Sequence, residues 1–188
     1  MTGRLVYVVG PSGSGKDSLL DWARARIGAD VPVVFAHRYI TRPEGAGWEN
    51  YVGLTDGEFA LRLAHGLFAM HWASHSRRYG IGIEIDQWLA RGLDVVVSGS
   101  RAYLPEALAR HPDLALVWVT APVEMLRERL QRRGRESAAE IAARLERGVA
   151  LGVPPRSPTM TVANDGPIER AGAALLAWLA RDAAARRA

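Results

Sequence analysis

Residues 10–17 read Gly-Pro-Ser-Gly-Ser-Gly-Lys-Asp, and Gly10, Gly15 and Lys16 fill the fixed positions of the pattern G-x-x-x-x-G-K. Residue types and spacing here suit one task, the cradling of phosphate. Glycines let backbone N–H groups turn inward without Cβ clashes, so Gly10, Pro11, Ser12, Gly13, Ser14 and Gly15 can wrap an anion. A helix that starts at the end of such a loop adds its partial positive charge. Lys16 is the only lysine of the chain and is expected to stand exposed on the loop, its ammonium reaching the β- and γ-phosphates of a nucleoside triphosphate. Asp17 departs from the pattern, which places Ser or Thr there as a Mg²⁺ ligand. A carboxylate is also a hard oxygen ligand, so Asp17 can hold Mg²⁺ directly or through water. Otherwise it acts as an anion in the first helical turn, with Ser18 nearby to help.

Such a loop works only between a buried strand and a helix, and the flanking sequence supplies both. Leu5–Val9 is short, β-branched and continuously apolar, as a parallel strand buried on both faces must be. Residues 15–27 follow as a helix with Leu19, Leu20, Ala23 and Ile27 on one side. Strands are expected at 33–36, 67–72, 79–83, 93–97, 114–120 and 160–162. Helices are expected at 56–63, 84–91, 105–110, 122–133 and 167–185, and one from Ser137 with Glu140 completing a capping box. Residues 41–51, polar and glycine-rich, read as loop. The alternation of strand and helix predicts an α/β domain with a parallel sheet between two helical layers.

Composition narrows the classes. The 188 residues suit a single domain, and 48% hydrophobic with 23% charged residues is ordinary for a folded soluble chain. No apolar run is long enough to span a membrane, no secretory signal opens the chain, and no cysteine is present, so a cytoplasmic protein is expected. The net charge of +4 comes almost wholly from arginine, whose planar fork suits phosphate oxygens. Polyphosphate ligands account for it without nucleic acid, for which no recognition motif appears.

Beyond the loop, a series of short segments resembles the guanylate-kinase-like P-loop kinases. Tyr39-Ile40-Thr41-Arg42-Pro43 is similar to their T-T-R-x-P segment. Glu49-Asn50-Tyr51 with Glu58-Phe59, and then Tyr79-Gly80, resemble the remainder of their acceptor site. Residues 129–144 resemble their arginine-rich lid, and Asn164-Asp165 falls where the family has Asn-Asp beside adenine. The resemblance implies a P-loop kinase three-layer sandwich over residues 1–188, an acceptor-binding subdomain near 37–92 and a lid near 129–147. It further implies that Arg42 and Tyr79 hold an acceptor phosphate, joined by Arg38, Tyr51 and Arg101. Arg133 and Arg144, with Arg132 and Arg135, are expected to close over the transferring phosphoryl group. The attacking phosphate oxygen is ionised already and needs no general base.

The departures bear on the acceptor. His71 precedes Trp72-Ala73 where guanylate kinases carry the carboxylate that reads guanine. The strand that ends L-D-I-D in those enzymes ends here Val97-Ser98-Gly99-Ser100-Arg101, and Glu44-Gly45 replaces a second arginine. A site that has lost its base-reading partners rejects the base. Residues 38–42, 79–86 and 99–101, with Lys16-Asp17-Ser18, instead resemble the ribose 1,5-bisphosphate phosphokinases. That resemblance implies ATP- and Mg²⁺-dependent phosphorylation of a small phosphorylated sugar, ribose 1,5-bisphosphate, to 5-phosphoribosyl 1-diphosphate. Glu84 and Asp86 either bind sugar or cation or simply start a helix, and His71 reads as a packed strand histidine. A nucleoside-monophosphate kinase is the alternative enzyme. A catalytically inactive interaction module is the alternative of another class, disfavoured because the loop keeps its glycines and Lys16.

Overall fold

Strand β1 (Leu5–Val9) is buried along its whole length, and alternation sends its side chains into two separate cores. Val6 and Val8 join Leu19, Leu20 and Ala23 of α1 (Lys16–Arg24) and Ala171, Leu175 and Leu179 of α7 (Ile168–Ala185). Leu5, Tyr7 and Val9 face the opposite layer. There they meet Ile85 of α3 (Glu84–Ala90) and Leu104 and Ala107 of α4 (Leu104–Arg110). Burial of each such side chain contributes about 1.5–3 kcal/mol, so the two cores hold the sheet between its helical layers. The computed structural model describes residues 2–42, 50–74, 76–134, 137–150 and 157–185, without the side chains of Arg133, 147–150 and 182–185.

The central sheet has five parallel strands. β2 (Val33–Phe35), β7 (Asp94–Ser98), β1, β8 (Ala115–Thr120) and β9 (Met160–Ala163) lie in that order. The chain alternates strand and helix as the sequence predicts, and the α/β architecture with a parallel central sheet is the one observed. α5 (Val123–Arg133) ends at Gly134, and α6 (Ala138–Ala150) packs on it through Leu126, Leu130, Ile141 and Leu145. Ser137 and Glu140 form the expected capping box: the Ser137 N–H and hydroxyl donate to the Glu140 carboxylate at 2.7 and 2.8 Å. Those bonds hold the Glu140 carboxyl below its ordinary range.

A second sheet was not foreseen as such. It orders β4 (Tyr51–Gly53), β3 (Arg38–Ile40), β6 (Arg77–Gly82) and β5 (Phe68–Ser74). Of residues 41–51, read as loop, Tyr51 opens a strand, and residues 43–49 lie outside the described residues. β3 pairs antiparallel with β6, Tyr39 opposite Gly80, and parallel with β4, Arg38 opposite Tyr51. Helix α2 (Asp56–Ala64) carries Asp56 in its first turn and is capped by Thr55, whose hydroxyl accepts from the Glu58 N–H at 3.1 Å. The sheet is anchored on the main body because Ala69, Met70 and Ile81 are buried in the same core as Tyr7.

The turn after β7 is fixed from inside. The Tyr7 hydroxyl donates to the Ser100 carbonyl at 3.0 Å and accepts from the Ser100 N–H at 2.9 Å. Burial pushes this hydroxyl far above the ordinary phenol range, with the Ser100 bond opposing only in part. Tyr7→Phe keeps the ring and removes both bonds, so it should lower stability by about 1–3 kcal/mol. Urea unfolding reads this directly; an unshifted midpoint would show that the turn does not depend on the phenol.

Candidate active site

β1 and β7 are adjacent, with Val8 opposite Ser98, so the end of β7 stands level with the start of the loop. Gly13 and Gly15 take φ of 85° and 78°, conformations that only glycine adopts cheaply. A Cβ on Gly15 would also lie 2.5 Å from the Asn164 amide nitrogen. Asn164, at the end of β9, is buried, and its side-chain amide donates to the Ser14 carbonyl at 2.7 Å. Arg129 of α5 donates to the carbonyls of Ser14 at 3.3 Å and Asn164 at 3.0 Å. Arg144 of α6 donates to the Ser12 hydroxyl at 3.3 Å. The loop backbone is thus braced by groups from β9, α5 and α6.

Lys16 is not exposed on the loop, as the sequence led us to expect. It is the first residue of α1, its side chain is 12% exposed, and it donates to the Asp17 carboxylate at 2.8 Å and to the Ser98 hydroxyl. The reason is local: the Asp17 carboxylate and the Ser98 hydroxyl both lie within hydrogen-bond reach of the ammonium. Ser98 in turn donates to Asp17 Oδ1 at 2.7 Å, and Arg38 lies 3.2 Å from the same oxygen. Burial alone would raise the Asp17 carboxyl. The Lys16 and Arg38 charges and the bonds from Lys16 and Ser98 outweigh it and hold the group far below the usual carboxylate range.

Arg38 joins the two sheets. It is buried, pairs with Asp17 on α1, and lies with its guanidinium 5.8 Å from the centre of the Tyr79 ring. Tyr79 stacks on Trp72, which contacts Tyr103 beyond the end of β7. Arg42, two residues past β3 and also buried, lies 4.0 Å from the centre of the Tyr51 ring. Period two in the extended chain puts positions 38 and 42 on one side and Tyr39 on the other, where it packs with Phe68. Arg38 and Tyr79 therefore meet, and Arg42 and Tyr51 meet. Arg101 stands 5.8 Å from the centre of the Trp118 ring on β8, and burial lowers its pKa.

Glu84 starts α3 and faces β3, with the Tyr39 hydroxyl donating to its carboxylate at 3.5 Å and His37 Nε2 lying 3.6 Å from the same oxygen. His71 is exposed on β5 and not packed, contrary to its reading as a core histidine; it stands opposite Gly80, which offers it no side chain to pack on. Arg132 is exposed at the end of α5. The Arg133 side chain and Arg135 lie outside the described residues. Two participants were missed: Ser98, and Arg129 as a brace for the loop. A signal for Ser98 existed, since ligands of open parallel sheets bind at the carboxyl ends of adjacent strands. A shallow, open cleft lies beside this cluster, lined in part by Asp17, Asp21, Arg24, Arg38, Asn50 and Ser98. Among the described residues, no group of three or more His, Asp or Glu side chains could hold a metal ion, and no helix is long and apolar enough to cross a membrane.

A glycine loop on a parallel sheet, with its lysine turned toward the neighbouring strand end, defines a P-loop kinase fold. Solved structures agree on the fold. A guanylate kinase from Anaplasma phagocytophilum matches with a TM-score of 0.66 at 16% identity, over 96% of this chain and 86% of that one. A gluconokinase from Sinorhizobium meliloti 1021 matches at 0.51 and 23%, over 99% and 96%. No family model matches the chain. Sequence relatives are more specific. The protein named ribose 1,5-bisphosphate phosphokinase PhnN in Thiobacillus denitrificans is 50% identical over 186 residues, covering 99% of this chain and 97% of that protein. That of Desulfomicrobium baculatum is 54% identical over 92% of this chain and 91% of its own length. A third, from Laribacter hongkongensis, is 54% identical over 95% of this chain, which spans 43% of that longer protein. The chain belongs to the ribose 1,5-bisphosphate phosphokinase family, and it is a phosphotransferase.

Proposed function

We propose that this protein transfers the γ-phosphoryl group of ATP to the 1-phosphate of ribose 1,5-bisphosphate, giving 5-phosphoribosyl 1-diphosphate and ADP. One observation supports this most directly: Lys16 of the loop and Arg38 of the second sheet share a single carboxylate, Asp17, at 2.8 and 3.2 Å. A cation suited to a donor phosphate and one suited to an acceptor phosphate thus lie side by side. Transfer between two phosphates asks for little more than such positioning and charge stabilisation. An oxygen of the 1-phosphate attacks the γ-phosphorus, the bond from that phosphorus to the bridging oxygen breaks, and ADP leaves with the electron pair.

In this reading Lys16 and the loop of Gly10, Pro11, Ser12, Gly13, Ser14, Gly15 and Asp17 hold ATP, and Asn164 serves the donor side by fixing the loop. Arg38, Arg42, Tyr51, Tyr79 and Arg101 form the acceptor side, the second sheet being the acceptor-binding subdomain. Arg133 and Arg144, on the paired helices α5 and α6, supply the lid cations, and Arg144 already reaches Ser12. The Asp17 carboxylate, a hard oxygen beside the loop lysine, fits Mg²⁺, which takes one or two carboxylates and fills its shell with water and substrate phosphates. Bound there, Mg²⁺ would neutralise charge on the β- and γ-oxygens. The protein acts in the cytoplasm on a small phosphorylated sugar, with neither nucleic acid nor membrane as partner.

With ATP and Mg²⁺, ribose 1,5-bisphosphate should stimulate ADP release far more than GMP, AMP or UMP does. Phosphorus NMR of the product should show a new diphosphate at the anomeric carbon. Release stimulated best by GMP would replace this acceptor with a nucleotide.

A further inference from the structure

P-loop enzymes hold their divalent cation with a hydroxyl next to the loop lysine and a carboxylate from a separate segment. In this chain the carboxylate stands next to the lysine, as Asp17, and the hydroxyl belongs to the separate segment, as Ser98 at the end of β7. Ser98 is buried and donates to Asp17 Oδ1 at 2.7 Å, and Lys16 donates to both. The two oxygens form one contact across 81 residues of chain.

We propose that Asp17 and Ser98 are an exchanged pair, in which the hydroxyl and the carboxylate have traded positions and the function belongs to the pair. The inference rests on the reading that Asp17 serves the cation, and it adds Ser98 as the second protein oxygen and as a positioning residue for Lys16. Charge explains why the two must change together. Carboxylates at both positions would set two negative charges within hydrogen-bond distance. Hydroxyls at both would leave Lys16 and Arg38 without their shared counter-ion. One of each satisfies the site in either order. Placing the carboxylate at 17 has a further consequence, because from α1 it lies 3.2 Å from Arg38. This order thereby ties the phosphate loop to the second sheet.

The test is the reciprocal swap. ADP affinity is measured by calorimetry with and without Mg²⁺ for the wild type, Asp17→Ser, Ser98→Asp and the double variant, with thermal melting to verify folding. Each single change should remove about tenfold or more of the gain in ADP affinity that Mg²⁺ confers. The double variant should return to within about threefold of wild type, a non-additivity expected of residues in contact. A double variant showing the summed losses overturns the exchange. Should Ser98→Asp not fold, Asp17→Asn, Ser98→Ala and their combination decide the matter. The second substitution should then cost little once the first is made, and additive losses overturn the proposal. A wild type whose ADP affinity ignores Mg²⁺ overturns both the exchange and the placing of a cation at Asp17. A Mg²⁺-responsive wild type with additive variants overturns the exchange alone.

Discussion

Lys16→Ala is expected to lower turnover at saturating substrates by about 10²–10³-fold, the usual loss when one preorganised donor to a developing anion is removed. The geometry behind this is the position of Lys16 as the first residue of α1, directly after the glycine loop. Its engagement with Asp17 and Ser98 alters what else should happen. A lysine exposed on a loop could be truncated with little effect on stability. This one neutralises a partly buried carboxylate, and a hydrogen bond to a charged group contributes about 1.5–3 kcal/mol. Arg38 remains beside Asp17 in the variant, so the loss should fall at the lower end of that range. Steady-state kinetics and urea unfolding measure the two effects separately. Turnover equal to wild type would remove Lys16 from the chemistry, whatever the unfolding curve shows.

The contrast between Lys16 and its surroundings shows where reading the sequence succeeds. The loop was legible because its constraint is local: glycine where φ is positive, a buried strand before, a helix after. β1, β7 and β8 were legible because parallel strands buried on both faces must be apolar throughout. β3 was not. Its residues Arg38-Tyr39-Ile40 open a short run with a charge, and pairing to β4 and to β6, some 40 positions on, makes them a strand. The same limit hid Ser98. Its place at the carboxyl end of a buried strand signals a ligand site but no particular partner; the contact with Lys16 exists because β7 lies beside β1 in the register that sets Ser98 opposite Val8. Arginines 38 and 42 were picked out from a motif, yet their burial follows from the aromatic rings of Tyr79 and Tyr51 on neighbouring strands. Long-range pairing supplied what composition and period could not.

The acceptor side carries the second large effect. Arg42→Ala should raise the KM for ribose 1,5-bisphosphate by about a hundredfold, equivalent to loss of a charge-assisted pair of hydrogen bonds. The KM for ATP should hardly move, because Arg42 sits beyond β3 in the second sheet, over the Tyr51 ring of β4. Arg42 is 6% exposed, so its removal also takes away packing on the ring, about 0.5–2 kcal/mol of stability. Arg42→Lys separates the two contributions. It keeps a cation over Tyr51 but lacks the planar fork, so stability should recover more fully than the acceptor KM. His71→Glu is the opposing control. It restores a carboxylate at the position from which guanylate kinases read guanine, on an exposed site of β5 opposite Gly80. With phosphates rather than a base edge holding the acceptor, that change should disturb sugar turnover much less than Arg42→Ala does. Initial rates over a range of acceptor concentrations, for each variant with ribose 1,5-bisphosphate and with GMP, give the comparison. If Arg42→Ala leaves the acceptor KM unchanged while His71→Glu raises it sharply, the acceptor phosphate lies along β5 and not beside Tyr51.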